Sequence, residues 1–188
     1  MNFEKRKYSL LETILFPPKR LNLSTLEKVV ERKTVLITGA SFGIGEQLAY
    51  ILGFENTQLI LVGRTEDKLN AVKSKIENAG GKAEIYTTDL RENNQINKLI
   101  EELKKREKGV DIFVNNAGKS IRRPLTESLD RYHDFSRTMA INYEAPIKLM
   151  LALIPKLAKH NGHVVNVSAM NVLMAPAPYW AAYQASKS

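Results

Sequence analysis

The stretch TVLITGASFGIGEQLAYILG, residues 34–53, decides the fold of this chain. Its first five residues are β-branched or apolar and run into Gly39, which predicts a buried strand that ends in a tight turn. Its last ten residues repeat apolar side chains at helical spacing, which predicts a helix. A glycine-rich segment with the spacing G-x3-G-x-G between a strand and a helix is typical of a loop that binds phosphate groups.

The three glycines of this loop have separable roles. Gly39 allows the tight turn, Gly43 lets the backbone approach a pyrophosphate, and Gly45 lets the helix pack closely on the sheet. The helix N-terminus adds free N–H groups and the positive end of its dipole. A plain turn is the alternative. We predict that a dinucleotide cofactor contacts the loop residues Gly39, Ser41, Phe42, Gly43, Ile44 and Gly45.

On either side of this loop, short apolar runs alternate with segments of helical periodicity. The alternation predicts a parallel sheet with helices on both faces, a Rossmann-type doubly wound α/β fold that covers residues 34–188. After the first strand, the predicted strands lie at residues 58–63, 83–89, 110–118 and 163–169. The longest predicted helices lie at residues 92–108 and 130–158.

The end of the second predicted strand, LVGRTEDKL at residues 61–69, indicates which cofactor binds. In a dinucleotide fold an acidic side chain here bonds the ribose 2′-hydroxyl of NAD, whereas an arginine pairs with the 2′-phosphate of NADP. Gly63 stands where an acid would repel that phosphate, and Arg64 can form a bidentate pair with it. We therefore predict NADP(H) as the cofactor, with a solvated helix-start residue as the alternative for Arg64.

The formal charge is +8, and residues 1–33 contribute half of that excess, with eight Lys or Arg against four Glu. We treat this segment as a basic N-terminal extension, in which apolar residues at 10–15 have helical spacing. It either packs on the domain or a partner, or makes peripheral contact with a membrane. No nucleic-acid-binding signature is present. With no cysteines and three scattered histidines, we predict no metal site.

Five features then occur in the order and near the spacing typical of one family. Because of these five features, the chain resembles the short-chain dehydrogenase/reductases over residues 34–188. The features are TGASFGIG at 38–45, Asp89 after the third strand, NNAG at 115–118, Asn142 on the long helix and YQASK at 183–187.

The resemblance implies roles for residues around the cofactor. Asp89, with the Leu90 backbone, would contact adenine, with a helix cap as the alternative for Asp89. Asn116, Ala117 and Gly118 would support the middle of the cofactor and the central strand, with a strand-ending turn as the alternative.

Tyr183 and Lys187 are a candidate catalytic pair. Hydride transfer to a carbonyl carbon needs a proton for the oxygen, and a tyrosine with its ordinary pKa near 10 is a poor acid at neutral pH. Lys187 lies one helical turn after Tyr183 on the same face, and an ammonium there favours the phenolate. We predict that Tyr183 donates the proton and Lys187 tunes it. The resemblance adds that Lys187 holds the nicotinamide ribose and that Asn142 holds a water in a relay to Lys187.

The stretch GKSIRRPLTESLDRYHDFSRTMAINY, residues 118–143, is similar to that of bacterial short-chain-type fatty acyl-CoA reductases. This implies a small-molecule carbonyl or acyl-CoA-type lipid substrate, with a plain carbonyl or hydroxysteroid-type reductase as the alternative. Arg122 and Arg123 are placed to pair with an anionic group such as a coenzyme A phosphate. Pairing with Glu127 or Asp130 is the alternative.

Two features depart from the family pattern. The substrate-orienting serine usually comes three residues after the strand's asparagine, where this chain has Ala169, so Ser168 serves only if the strand bulges or the alignment slips. Relatives continue beyond the position where this chain stops, so we expect a C-terminally truncated member whose sheet is incomplete. An inactive remnant or a non-catalytic NADP-binding subunit is the alternative function. The resemblance also implies homo-oligomers for the full-length family, and a cytoplasmic location is expected by default.

Overall fold

The computed structural model describes residues 22–173 and 178–188, so the apolar segment at residues 10–15 lies outside the described part. The strands are β1 (Thr34–Thr38), β2 (Gln58–Gly63), β3 (Lys82–Thr87), β4 (Ile112–Asn115) and β5 (His163–Asn166). The helices are α1 (Leu23–Val30), α2 (Gly43–Leu52), α3 (Glu66–Asn78), α4 (Asn93–Lys105), α5 (Tyr132–Met139), α6 (Ala145–Lys159) and α7 (Ala181–Lys187). The strands pair in parallel in the order β3-β2-β1-β4-β5, which confirms the predicted Rossmann-type doubly wound fold.

Alternating side chains along the central strands build a core on each face of the sheet. On one face, Leu36 of β1 and Phe113 of β4 pack with buried residues of α4 and α6. On the other face, Val35 and Ile37 of β1 pack with buried residues of α2 and α3. Because β1 is covered on both faces, all five of its residues are buried.

The edge strand β5 differs from β1. Its four residues are exposed, and Val164 and Val165 expose 38% and 47% of their surface. It pairs with β4 in register from Ile112 with His163 to Asn115 with Asn166. The strand ends at Asn166, three residues before the predicted limit at residue 169. Residues 167–169 therefore belong to the connection that follows the strand.

The basic extension is partly built into the domain. Asn22 caps α1 by accepting a hydrogen bond from the Thr25 backbone N–H at 3.1 Å, and Val30 at the other end of α1 is buried in the core beside α2 and α3. The Val30 carbonyl accepts a hydrogen bond from the buried Thr57 hydroxyl. No helix within the described ranges combines the length and the apolar character needed to cross a membrane.

The strand order fixes where a site can form. Because β1 lies between β2 and β4, the connections that leave these neighbours diverge, and a crevice opens at the carboxyl ends of the strands. The glycine loop follows β1, and the NNAG turn follows β4. Both predicted cofactor segments therefore meet at this switch point.

Candidate active site

The glycine loop is closely packed at two of its glycines and open at the third. Gly39 has a φ of +67°, and a Cβ atom there would lie 2.9 Å from the Ala117 Cα. A Cβ atom at Gly45 would lie 2.3 Å from the Gly39 carbonyl oxygen. Gly43 has a φ of +63°, but a Cβ atom there would have no neighbouring atom within 4 Å. The open side of Gly43 leaves room for a ligand to approach the backbone.

The N-terminus of α2 faces the same space. Phe42 is the N-cap residue and makes no side-chain hydrogen bond to the first turn. The first N–H groups of the helix are therefore suited to an anion. A cleft of about 190 Å³ opens here. Of the predicted cofactor residues, Gly39, Ser41, Phe42, Gly43, Ile44, Arg64, Leu90, Asn116, Ala117 and Gly118 line it.

Gly63, Thr88 and Ile141 also line this cleft. A Cβ atom at Gly63 would lie 3.2 Å from the Ser41 Oγ and 3.3 Å from a methyl carbon of Leu69. A glycine at this position therefore also fits the packing, because a larger side chain would press on Ser41 and Leu69. Sequence reasoning did not single out Thr88 or Ile141, because each becomes recognisable only when the cleft is assembled.

Arg64 lines the cleft, whereas Asp89 lies between the lining residues Thr88 and Leu90 and does not line it. Arg64 is exposed, whereas Asp89 is half-buried. The Asp89 carboxylate accepts hydrogen bonds from the Arg91 backbone N–H at 3.0 Å and from the Arg91 guanidinium. The hydrogen bond from Arg91 lowers the pKa of Asp89. Glu92 is the N-cap of α4, so the helix-cap alternative for Asp89 is wrong.

The NNAG turn is tied to the end of β1 through Thr38, which is fully buried. The Thr38 hydroxyl accepts hydrogen bonds from the backbone N–H groups of Asn116 and Ala117, each at 3.1 Å, and donates one to the Val114 carbonyl. The Asn116 side-chain amide donates to the Thr38 carbonyl at 2.9 Å. The turn thus holds the central strands together beside the glycine loop. Thr38 was not among the predicted site residues, although it directly precedes Gly39.

The predicted helix at residues 130–158 is interrupted by a π-helical segment, Ala140–Glu144, between α5 and α6. Asn142 lies in this segment and is buried. Pro146, four residues later, has no N–H to donate to the Asn142 carbonyl, which favours a departure from α-helical bonding here. The Asn142 side chain bonds both backbone groups of Lys119, at 2.8 and 2.9 Å. It therefore fixes the backbone that follows the NNAG turn.

Asn142 also anchors α7. Its amide donates a hydrogen bond to the buried Ser186 hydroxyl at 2.8 Å, and that hydroxyl donates to the Tyr183 carbonyl at 2.8 Å. Lys187 Nζ donates to the Val167 carbonyl at 3.1 Å. A Cβ atom at Gly118 would lie 3.1 Å from Asn142 Oδ1 and 3.5 Å from Lys187 Nζ. Asn142 and Lys187 therefore converge on Gly118, at the lip of the cleft.

Burial lowers the pKa of Lys187 below its ordinary value of 10.5. Within the described residues, its amine has no carboxylate within salt-bridge distance. Tyr183 lies one turn before Lys187 on α7 and is half-buried, with its ring tilted against Trp180 at a centroid distance of 5.5 Å. Ser186 was not among the predicted site residues, although it lies inside the YQASK motif.

Ser168 and Ala169 follow β5. Ser168 is exposed and, in the part of the chain that the structure describes, its hydroxyl makes no hydrogen bond. It lines a groove of about 310 Å³ together with Asn142 and Lys187. Ser168 is therefore near two of the predicted catalytic residues, and its role stays a prediction.

Arg122 and Arg123 have different surroundings. The Arg123 guanidinium donates to the Asp134 carboxylate at 2.6 Å, so Glu127 and Asp130 are the wrong partners for it. Asp134 is buried and is also bonded by Arg131 and Arg137 of the neighbouring turn. Arg122 instead lies over the Tyr179 ring, 5.5 Å from its centroid.

Among the described residues, Arg122 is in no ion pair and is exposed. Burial opposes ionisation of Asp134, but the hydrogen bond from Arg137 and the nearby charges lower its pKa. Arg123 is therefore committed to Asp134, whereas Arg122 is accessible to an anion.

Known proteins resemble this chain in sequence and in fold. A family profile for short chain dehydrogenase matches residues 33–188. A fatty acyl-CoA reductase of Mycobacterium tuberculosis is 43% identical over 83% of this chain and 53% of its own length. One of Acinetobacter baylyi is 44% identical over 85% of this chain and 54% of its own length. The chain thus spans about half the length of these relatives. A metagenomic short-chain oxidoreductase in complex with NADP has a TM-score of 0.77 at 32% identity, covering 84% of this chain and 71% of that one.

Proposed function

This chain belongs to the short-chain dehydrogenase family, and on that premise we propose that it acts as an NADPH-dependent oxidoreductase with Tyr183 as the proton donor. The substrate that we propose is a carbonyl or acyl-CoA-type lipid. The observation that carries the proposal is the convergence of Lys187 and Asn142 on Gly118, at the lip of the glycine-loop cleft. A reacting carbonyl near this point would have both a nucleotide cleft and a proton-handling helix beside it.

The residues of the cleft fit a dinucleotide. The open side of Gly43 and the N-terminus of α2 suit its pyrophosphate. Arg64 would pair with a 2′-phosphate, and Asp89 with Leu90 would border the adenine. Asn116, Ala117 and Gly118 would hold the ribose next to the nicotinamide. When bound, the nicotinamide supplies a hydride to the substrate carbon.

The proton side of the reaction falls to α7 and Asn142. Tyr183 would protonate the substrate oxygen, and the Lys187 ammonium one turn later would stabilise the phenolate left behind. The partial burial that lowers the pKa of Lys187 also strengthens its field at short range. Asn142 would hold α7 in place through Ser186 and would orient a water that returns a proton by way of Lys187.

Two features bear on the substrate. Arg122 is exposed, lies four residues after Gly118 in the chain and suits an anionic group such as a coenzyme A phosphate. Fatty acyl-CoA reductases of two bacteria share 43% and 44% identity with this chain. Both observations favour an acyl-CoA over a small neutral ketone.

Cofactor preference is tested by fluorescence titration of the purified chain with NADPH and, separately, with NADH. We expect NADPH to bind more tightly than NADH. Arg64→Ala should weaken NADPH binding by about tenfold or more, because one charged hydrogen-bonded pair is worth about 1.5–3 kcal/mol. NADH binding should change little. Lys73→Ala, on the helix that follows β2, is the matched control. Equal affinities for the two cofactors in the parent chain would overturn the preference.

Turnover is tested by following NADPH oxidation with a long-chain acyl-CoA. We expect Tyr183→Phe to lower the rate by about 10²–10⁴, the usual contribution of a positioned proton donor, while NADPH affinity is retained. An unchanged rate in this variant would remove Tyr183 from the mechanism.

A second candidate function is nucleotide binding without turnover. It is favoured by Ala169, which stands where the family places its substrate-orienting serine, and by the exposed Ser168 hydroxyl. Loss of one donor to the developing oxyanion lowers a rate by about 10²–10³. Two results would support this second function over the first: the chain binds NADPH without oxidising it, and Ala169→Ser partly restores NADPH oxidation.

A further inference from the structure

A second cavity, here called the basal cavity, lies at the opposite end of the sheet from the glycine loop. It has a volume of about 620 Å³, and its lining includes Lys33 and Thr34 at the start of β1, Gln58 at the start of β2 and Lys82 at the start of β3. The glycine loop follows the carboxyl end of β1, so the two cavities are separated by the length of the strands. The basal cavity is therefore not part of the proposed active site.

The charged residues of the basal cavity are mostly cations. Arg32, Lys33, Lys82, Arg106 and Lys108 line it, against the single acid Glu107. Arg106 is paired with Glu84 at 2.5 Å, and Arg32 reaches Glu31 only at 4.0 Å. Within the described residues, Lys33, Lys82 and Lys108 are in no ion pair. The cavity is therefore lined by three lysines whose ammonium groups have no carboxylate within ion-pair distance in the described chain.

Helix C-termini supply part of the reason for this charge. The C-terminus of α4 ends near the basal cavity, and its last-turn residues Lys104 and Lys105 complement the negative end of that dipole. Lys33 stands three residues after the C-terminus of α1 and Lys82 four residues after that of α3, so each also follows the negative end of a helix dipole. The backbone of Lys33 is fixed by two hydrogen bonds, one to the Val30 carbonyl and one from the Gln58 N–H.

Arg32 adds a second observation. Its φ is +60°, in the left-handed region that an arginine adopts at a cost and a glycine adopts freely. Its N–H donates to the Asn56 carbonyl at 2.7 Å, which holds the backbone in that conformation. An arginine at a position where glycine would be easier places a guanidinium at the rim of the cavity.

We propose that the basal cavity binds a ligand with clustered phosphate groups. Lys33, Lys82, Lys108 and Arg32 line one concave surface, and Asn56 adds a side-chain amide to the same lining. Such donors suit several phosphate oxygens at once, with the lysines as point charges and Arg32 as a fork. The phosphates come either from a soluble polyanion or from the headgroups of an anionic membrane.

The test uses the full chain and two probes, inorganic tripolyphosphate followed by calorimetry and vesicles of phosphatidylcholine with or without phosphatidylglycerol followed by sedimentation. We expect the triple variant Lys33→Gln, Lys82→Gln and Lys108→Gln to bind at least one probe about tenfold more weakly than the parent. Lys73→Gln, Lys75→Gln and Lys98→Gln, on the helices α3 and α4, remove the same charge elsewhere and should keep parent affinity. Circular dichroism checks that both variants fold.

A second variant separates binding from folding. Arg32→Gly should weaken binding by a smaller factor while its thermal midpoint stays level or rises, because glycine accepts the positive φ. Binding of tripolyphosphate alone would identify a soluble ligand, and binding of the phosphatidylglycerol vesicles would identify a membrane headgroup. Equal losses in the two triple variants, or no loss in either, would overturn the proposal, as would parent affinity in Arg32→Gly. No binding of either probe to the parent chain would overturn it as well.

Discussion

The loop that follows β1 and the helix that carries Tyr183 and Lys187 differ in how closely their surroundings hold them. Around the loop, β1 is buried along its whole length, and two glycines are in contact so close that a methyl group would overlap backbone atoms. Helix α7 has seven residues, of which only Ala182 and Ser186 are buried, and β5 beside its connection is exposed. The nucleotide half of the candidate site is therefore set by core packing, whereas the proton-transfer half rests on a few hydrogen bonds.

The largest loss of stability is expected from Gly45→Ala, in the closely packed half of the site. The new methyl group would lie 2.3 Å from the Gly39 carbonyl oxygen and 2.5 Å from the Asn116 side-chain nitrogen, which is itself held by hydrogen bonds to the Thr38 and Gly39 carbonyls. We expect the free energy of unfolding, measured with urea, to fall by about 3 kcal/mol. Gly43→Ala, at a positive φ with open space beside it, is the matched control and should cost about 1 kcal/mol. Equal costs at the two positions would contradict the packing argument.

A smaller loss is expected from Thr38→Val. The substitution keeps the shape of the side chain but leaves the N–H groups of Asn116 and Ala117 without their acceptor. We expect a loss of about 2 kcal/mol in the free energy of unfolding, since unpaired buried polar groups cost about 1–3 kcal/mol. Thr57→Val, which removes one hydrogen bond to the Val30 carbonyl, is the control. A loss at Thr38 no larger than that at Thr57 would show that the NNAG turn holds without this hydroxyl.

The smallest effect is expected in the loosely held half, from Lys187→Met. Burial makes the pKa of Lys187 lower in the folded chain than its ordinary value of 10.5, so the protonated amine disfavours folding. That penalty is fully present below the folded pKa and disappears as the pH rises from the folded pKa towards 10.5. The variant should thus be more stable at neutral pH by less than about 1 kcal/mol, because the amine is partly exposed and its bond to Val167 is lost.

Urea denaturation across this pH range measures the difference in the free energy of unfolding between the variant and the parent. The difference should shrink as the pH approaches 10.5. Lys98→Met, at an exposed position on α4, controls for the loss of a surface charge. A difference that grows with pH would mean that the Lys187 amine is stabilised, not penalised, by its surroundings.

The same contrast explains what could be predicted from the sequence. The fold followed from the alternation of apolar runs and from the strand, glycine loop and helix at residues 34–53, because both signals are local. The π-helical segment at Asn142 could not be predicted from periodicity, since it lengthens each hydrogen-bonded turn by only one residue. Pro146, which lacks the N–H that would bond the Asn142 carbonyl, is the one local signal for it. The pairing of Arg123 with Asp134 depends on how α5 packs, so the nearer acids Glu127 and Asp130 misled the sequence argument.

Gly63 has a consequence for cofactor engineering. If the chain has the NADPH preference proposed above, a designer who wished to convert it to NADH would place a carboxylate at the end of β2, the position at which Gly63 stands. A side chain there would press against Ser41 and the buried Leu69, each within 3.3 Å of its first carbon. An acid at this position would require Ser41 or Leu69 to move by a few tenths of an ångström, so a change of cofactor through this one substitution would also have to be accommodated by the packing of α3 on β2.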